Sequence, residues 1–209
     1  QLLAHCKADA AAEQYLRAFE TAYIESGAAS PKEFTAPLRP VIIHAQLIGA
    51  VQLARAAELG LIPSFFIAHV YYWGDTHIRN FGMERASAIS PASSAKALDI
   101  PYTFHQDSPV LEPNMLETVW CAVNRLTRSG IPLGPDQRIS ALDALKGVTI
   151  NAAYQYFEED RKGSLAPGKL ADLVILGDNP LEVSPEAIRH IPVIETIKEG
   201  ETIYRNPDF

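Results

Sequence analysis

Apolar residues in the first 110 positions come in short unbroken runs, separated by longer stretches in which they recur every three or four residues. The runs "QLLAH" (1–5), "VIIHA" (41–45), "IPSFFIAH" (62–69) and "IPYTFHQD" (100–107) are too short for helices. Their aliphatic and aromatic content predicts buried strands. Between them, "DAAAEQYLRAFETAYIESG" (9–27) and "LIGAVQLARAAELG" (47–60) carry apolar residues at helical spacing, and each stops on a glycine. A glycine- and aromatic-bearing stretch, "VYYWGDTHIRNFG" (70–82), leads to two shorter helical patterns, "MERASAI" and "SSAKALD". Strand alternating with helix at this interval predicts parallel βα units in an α/β fold.

Beyond residue 110 the pattern changes. "NMLETVWCAVNRLTRSG" (114–130) reads as one long amphipathic helix, and "ISALDALKGVTINAAYQYF" (139–157) as another with Ser140 as its N-cap. The tail holds a strand, "ADLVILG", and a hairpin, "VIETIKEGETIYR", turning at Glu199-Gly200.

The 209 residues are enough for one sizeable core, and 47% hydrophobic with 21% charged residues is an ordinary globular balance. A formal charge of −7 argues against nucleic-acid or anionic-membrane binding. No apolar run reaches the roughly 20 residues of a membrane-spanning helix. Two cysteines, Cys6 and Cys121, make no disulfide framework. No signal peptide is legible from Gln1 onward, and localisation stays open with the cytoplasm favoured.

The chemistry gathers at strand ends. His5, His44, His69 and Asp107 each close an apolar run, and parallel strands place such ends on one face. Neutral imidazoles and a carboxylate converging from separate strands suit a divalent metal such as zinc. For each histidine alone, a satisfied core or loop position is the competing explanation. Other chemistries find less support: there is no G-x-S-x-G elbow, P-loop or G-x-G-x-x-G. Cys6 points away from His5 if both lie in a strand. "YYWGD" (71–75) reads as an aromatic substrate wall or a packed turn, and Arg85 as an anion ligand or a local cap.

Taken together, "LLAHCKADAA", "VIIHAQ", "YYWGD", "HQDSPV", "TINAAY" and above all "KGSLAPGKLADLVIL" resemble the amidohydrolase superfamily, within it the branch called amidohydrolase family 3. The resemblance runs over roughly residues 1–205. It implies the C-terminal half of a TIM-like (β/α)8 barrel, strands five to eight with closing helices, over residues 1–163. Residues 164–209 then supply strands of the family's β-sandwich.

The same resemblance implies a metal-dependent hydrolase of amide or other C–N bonds, using one or two divalent ions, zinc the expected one. His5, His44 and Asp107 become metal ligands, Asp107 and His44 the catalytic pair, with Asp107 as base. His69, His105, Trp73 and Arg85 become substrate-pocket residues, with support of the metal ligands from behind as the alternative for His105, and the substrate a small molecule. Two departures stand out. Ala8 occupies a position where the family has Gly, so a turn requiring positive φ would be strained there. "H-Q-D-S-P" replaces the usual "G-S-D-S-P", which implies a different pocket. A complete barrel takes about 250 residues, and the family's strand-one H-x-H has no counterpart here. The chain is therefore expected to be part of a longer enzyme, paired with its missing half or with another copy in a homo-oligomer. The alternative expectation is a truncated, non-catalytic assembly or regulatory module.

Overall fold

The four apolar runs fold as strands β1 (Leu3–Cys6), β2 (Val41–His44), β3 (Ile62–Phe65) and β4 (Thr103–Phe104) in a computed structural model that describes residues 1–209. They form one parallel sheet in the order β1-β2-β3-β4. Register runs Cys6 to His44 between β1 and β2, and Ser64 to Thr103 between β3 and β4, so the chemistry-bearing ends come out level. β2 and β3 are the inner strands, and Val41, Ile42, Ile62 and Phe65 are fully buried. β1 is an edge: Leu2 and Leu3 are exposed, and only Cys6 of the strand is buried.

Helices α1 (Asp9–Ser26) and α3 (Ala50–Leu59) cover the sheet through Leu16, Phe19, Leu53 and Ala56. Each ends on a left-handed glycine, Gly27 and Gly60, as expected of a residue without Cβ. The short helix α2 (Pro31–Thr35) starts under a Ser30 cap. Ala8 sits at φ −102°, extended backbone open to any residue, so the missing glycine causes no strain before α1.

The largest correction concerns 70–82. That stretch is helical, and α4 runs from His69 to Ser87, interrupted at Gly82, where φ is 76°. Its path explains the aromatic content. His77 of α4 reaches Gln46 just beyond β2, and Arg85 reaches Asp9 just beyond β1. The helix therefore begins above β3 and passes over the ends of β2 and β1. Residues 71–75 are its first turns, and Gly74 is packed so closely on Thr127 that an added Cβ would lie 2.6 Å from that side chain. Helix α5 (Ala92–Ala97) follows.

Both later helices are shorter than their patterns predict. α6 (Met115–Asn124) stops where Arg125 takes φ 50° and turns its guanidinium into the core. There it donates to the carbonyls of Leu133, Ser90 and Ile89, at 2.8, 3.1 and 2.8 Å. Hydropathy alone marks that arginine as a surface residue. The 139–157 segment breaks at Thr149 into α7 (Ala141–Val148) and α8 (Ile150–Gln155); Ser140 caps α7 as expected. The tail strands β5 (Leu173–Leu176), β6 (Val193–Lys198) and β7 (Glu201–Arg205) make a separate antiparallel sheet. Its hairpin turns at Glu199 and Gly200, both at positive φ. No helix is long and apolar enough to cross a membrane.

Candidate metal centre

His44 lies at the centre of the strand ends. It closes β2 between β1 and β3, is 1% exposed, and has neighbours on every side. The His5 ring meets it edge-on at 4.6 Å between centroids, the His105 ring at 4.9 Å and the His69 ring at 6.2 Å. Phe66 closes the floor, 5.5 Å from His105 and 4.8 Å from His69.

The polar contacts form a line. Ser64 Oγ is 3.0 Å from His105 Nδ1, and His105 Nε2 is 3.3 Å from His44 Nδ1. His44 Nε2 has no hydrogen-bond partner although it is buried, and Asp107 Oδ2 stands 3.9 Å from it. That distance is too long for a hydrogen bond. It is short enough for an ion with ligand distances of about 2.0–2.2 Å to touch both groups. His44, His105 and Asp107 bring one donor atom each within 4.8 Å of one another. The free imidazole nitrogen of His44 and the Asp107 carboxylate are donors suited to zinc, so the residues fit the expected ion.

Burial holds these histidines neutral. It pushes His44 down to about 4 despite the opposing pull of Asp107, and it lowers His105 to about 4 as well. A neutral imidazole is the form that can ligate a metal. The backbone is also unusual here, since His44 and Asp107 adopt φ 70° and 53°. Left-handed backbone at non-glycine residues costs free energy and clusters at functional sites.

The predicted residues separate on this geometry. His44, Asp107 and His105 converge, His105 in a place foreseen for lining the pocket or supporting the ligands from behind. His5 packs on His44 but is exposed and stands outside the trio. His69 and Trp73 pack with tilted rings 4.7 Å apart on the β3 side, and burial lowers His69 to about 3. Arg85 is exposed and ion-paired with Asp9 at 3.0 Å, away from the imidazole cluster.

Two residues escaped the sequence reading. His77 contacts His69 Nδ1 at 3.2 Å and the Gln46 side chain at 3.0 Å through its Nε2. The signal was there: His69, Trp73, His77 and Phe81 fall every four residues, one stripe of a helix. Ser64 is the lone hydroxyl in an apolar strand run, easily passed over as filler.

A parallel α/β layer with imidazoles and a carboxylate at its strand ends is a scaffold for a metal site. Residues 1–204 match the model of the amidohydrolase family, and the chain belongs to that family, in its family 3 branch. It is 28% identical to an N-substituted formamide deformylase of Arthrobacter pascens, over 77% of this chain and 30% of that protein. It is 32% identical to the protein LONG AFTER FAR-RED 3 of Arabidopsis thaliana, over 78% of this chain and 28% of that one. Among solved structures it resembles an uncharacterized metal-dependent hydrolase from Pyrococcus horikoshii OT3, with TM-score 0.71 and 26% identity. That match covers 88% of this chain and 35% of the other. The chain thus spans about a third of the length of the curated relatives it matches.

Proposed function

We propose that the protein carrying this chain is a metal-dependent hydrolase of amide or other C–N bonds. The observation that carries this reading is the buried, unpartnered His44 Nε2 facing Asp107. An unsatisfied buried nitrogen destabilises the fold unless a ligand meets it. His44 and Asp107 would hold the ion, with His5 joining from β1. A bound zinc-type ion supplies a water whose pKa falls from about 15.7 to about 7.

The chain's own groups then divide the work. Asp107 accepts the proton of the attacking water and returns it to the departing nitrogen, a general-base and general-acid cycle. Its carboxylate is the most exposed member of the trio, which suits exchange with a substrate. His69 and Trp73 orient the substrate against the Phe66 floor, with Arg85 at the rim. In this reading β1 to β4 are barrel strands five to eight. Further strands, from the same polypeptide or a second copy, cover the exposed leucines at the β1 edge.

The test uses the whole protein purified without added chelator. Metal content is measured, and turnover is followed on N-substituted formamides, other amides and cyclic amidines. Retained zinc, with turnover lost on chelation and restored by zinc, is the expected result. Full turnover after complete metal removal would overturn the reading.

A further inference from the structure

Ser64 occupies a fully buried strand, and its hydroxyl is spent on one ring nitrogen behind the metal site. We propose that Ser64 is a positioning residue: through His105 it decides which nitrogen of His44 carries a proton, and so whether His44 can take a ligand. The proposal rests on the metal-centre reading above, and concerns a residue that touches neither ion nor substrate in that reading.

The logic follows from the line Ser64, His105, His44, Asp107. A neutral imidazole carries one N–H and one lone pair, and the two rings face each other nitrogen to nitrogen. Only one proton can sit between His105 Nε2 and His44 Nδ1, 3.3 Å apart. Two arrangements result. In the first, His105 Nδ1–H donates to Ser64 Oγ, its Nε2 accepts from His44 Nδ1–H, and His44 Nε2 presents a lone pair toward Asp107. In the second, every proton is reversed: Ser64 donates, and His44 turns Nε2–H toward the carboxylate. The change moves protons along the line without adding or removing any. Ligation requires the first arrangement, because a metal needs the lone pair.

A serine oxygen can either accept or donate, so it permits both arrangements. Alanine removes the acceptor that the first one needs and leaves a buried N–H without a partner. Buried orphaned donors are rarer and less tolerated than orphaned acceptors. Ser64→Ala therefore drives both rings into the second arrangement, the one that cannot ligate. The same chain of contacts assigns His105 to orienting His44, since its Nε2 lone pair is occupied by the His44 proton.

The experiment is histidine nitrogen NMR on the whole protein, metal-free, together with zinc titration against a competing chelator. Expected for Ser64→Ala is a shift of His44 and His105 toward the Nε2–H tautomer and zinc binding weaker by about 10- to 100-fold. Ser64→Thr, which keeps the hydroxyl, restores both. Unchanged tautomers with unchanged zinc affinity in Ser64→Ala would overturn the proposal. The two readings also fail separately. If the unaltered protein takes up no zinc while Ser64→Ala still shifts both tautomers, the metal reading falls and the Ser64 assignment stands.

Discussion

His77 Nε2 stands 3.2 Å from His69 Nδ1, two turns away along α4, so one histidine braces another above the end of β3. The His77 ring is itself stacked on Phe81, nearly parallel at 8° and 5.6 Å. His77→Phe keeps the stack and removes the nitrogen. The loss of one neutral hydrogen bond, about 0.5–1.5 kcal/mol, then appears as a rise in KM of about 2- to 10-fold, with kcat little changed. A fall in kcat at constant KM would place His77 in the chemistry instead. Steady-state kinetics on any turned-over amide separates the two.

Asp107 is the carboxylate of the trio and the proposed base. Asp107→Asn keeps its shape and removes both charge and basicity. Turnover should fall by at least about 100-fold, the usual contribution of a positioned base, and zinc affinity should fall with it. A variant with unaltered turnover removes Asp107 from the mechanism.

Arg125 is buried without a carboxylate partner, and burial lowers it to about 10. It satisfies the carbonyls of Leu133 and Ile89 and shares that of Ser90 with the Ala92 backbone N–H. Arg125→Met fills the volume and leaves the Leu133 and Ile89 carbonyls unpaired, which predicts a loss on the order of 3 kcal/mol. Urea denaturation measures it; a change under about 1 kcal/mol would show that water or backbone adjustment replaces the guanidinium.

Gly74 allows α4 to lie against Thr127 and Leu133, where an alanine Cβ would meet side-chain atoms at 2.6 and 3.2 Å. Gly74→Ala should destabilise by about 1–3 kcal/mol through overpacking. Because α4 carries His69, Trp73 and His77, substrate affinity should weaken in the same variant. Destabilisation with unaltered KM would show that the helix tilts without moving those rings.

Stability should depend on pH through the buried histidines. Burial lowers His44 and His105 from 6.5 to about 4. Between those values the unfolded chain binds protons that the folded one refuses, so unfolding free energy rises with pH across the window. The contribution is complete above about 6.5 and is lost as pH falls toward 4. The urea midpoint of metal-free protein should be lower at pH 5 than at pH 7.5. An unchanged or higher midpoint at pH 5 would mean the imidazoles are solvated.

The strand runs, glycine stops and turn residues were legible because they are local. "VIIH" and "IPSF" are apolar enough to be buried in any parallel arrangement, and Gly27, Gly60 and Gly200 are needed wherever the backbone turns left-handed. Strand ends that are polar in a βα rhythm also place His44 and Asp107 on one face before any coordinates exist. What remained hidden depends on partners far away in the chain. A stretch containing two glycines and four aromatic rings became helix α4 because its stripe of rings found the mouth of the sheet to pack on. Arg125 ended a helix and entered the core because Ile89, Ser90 and Leu133 offered carbonyls there. Local sequence set the strands, the glycine stops and the face that carries the chemistry. Only the tertiary structure chose His105 over His5 for the trio and joined Ser64 to His44, because distances between side chains 20 or more residues apart are fixed by packing.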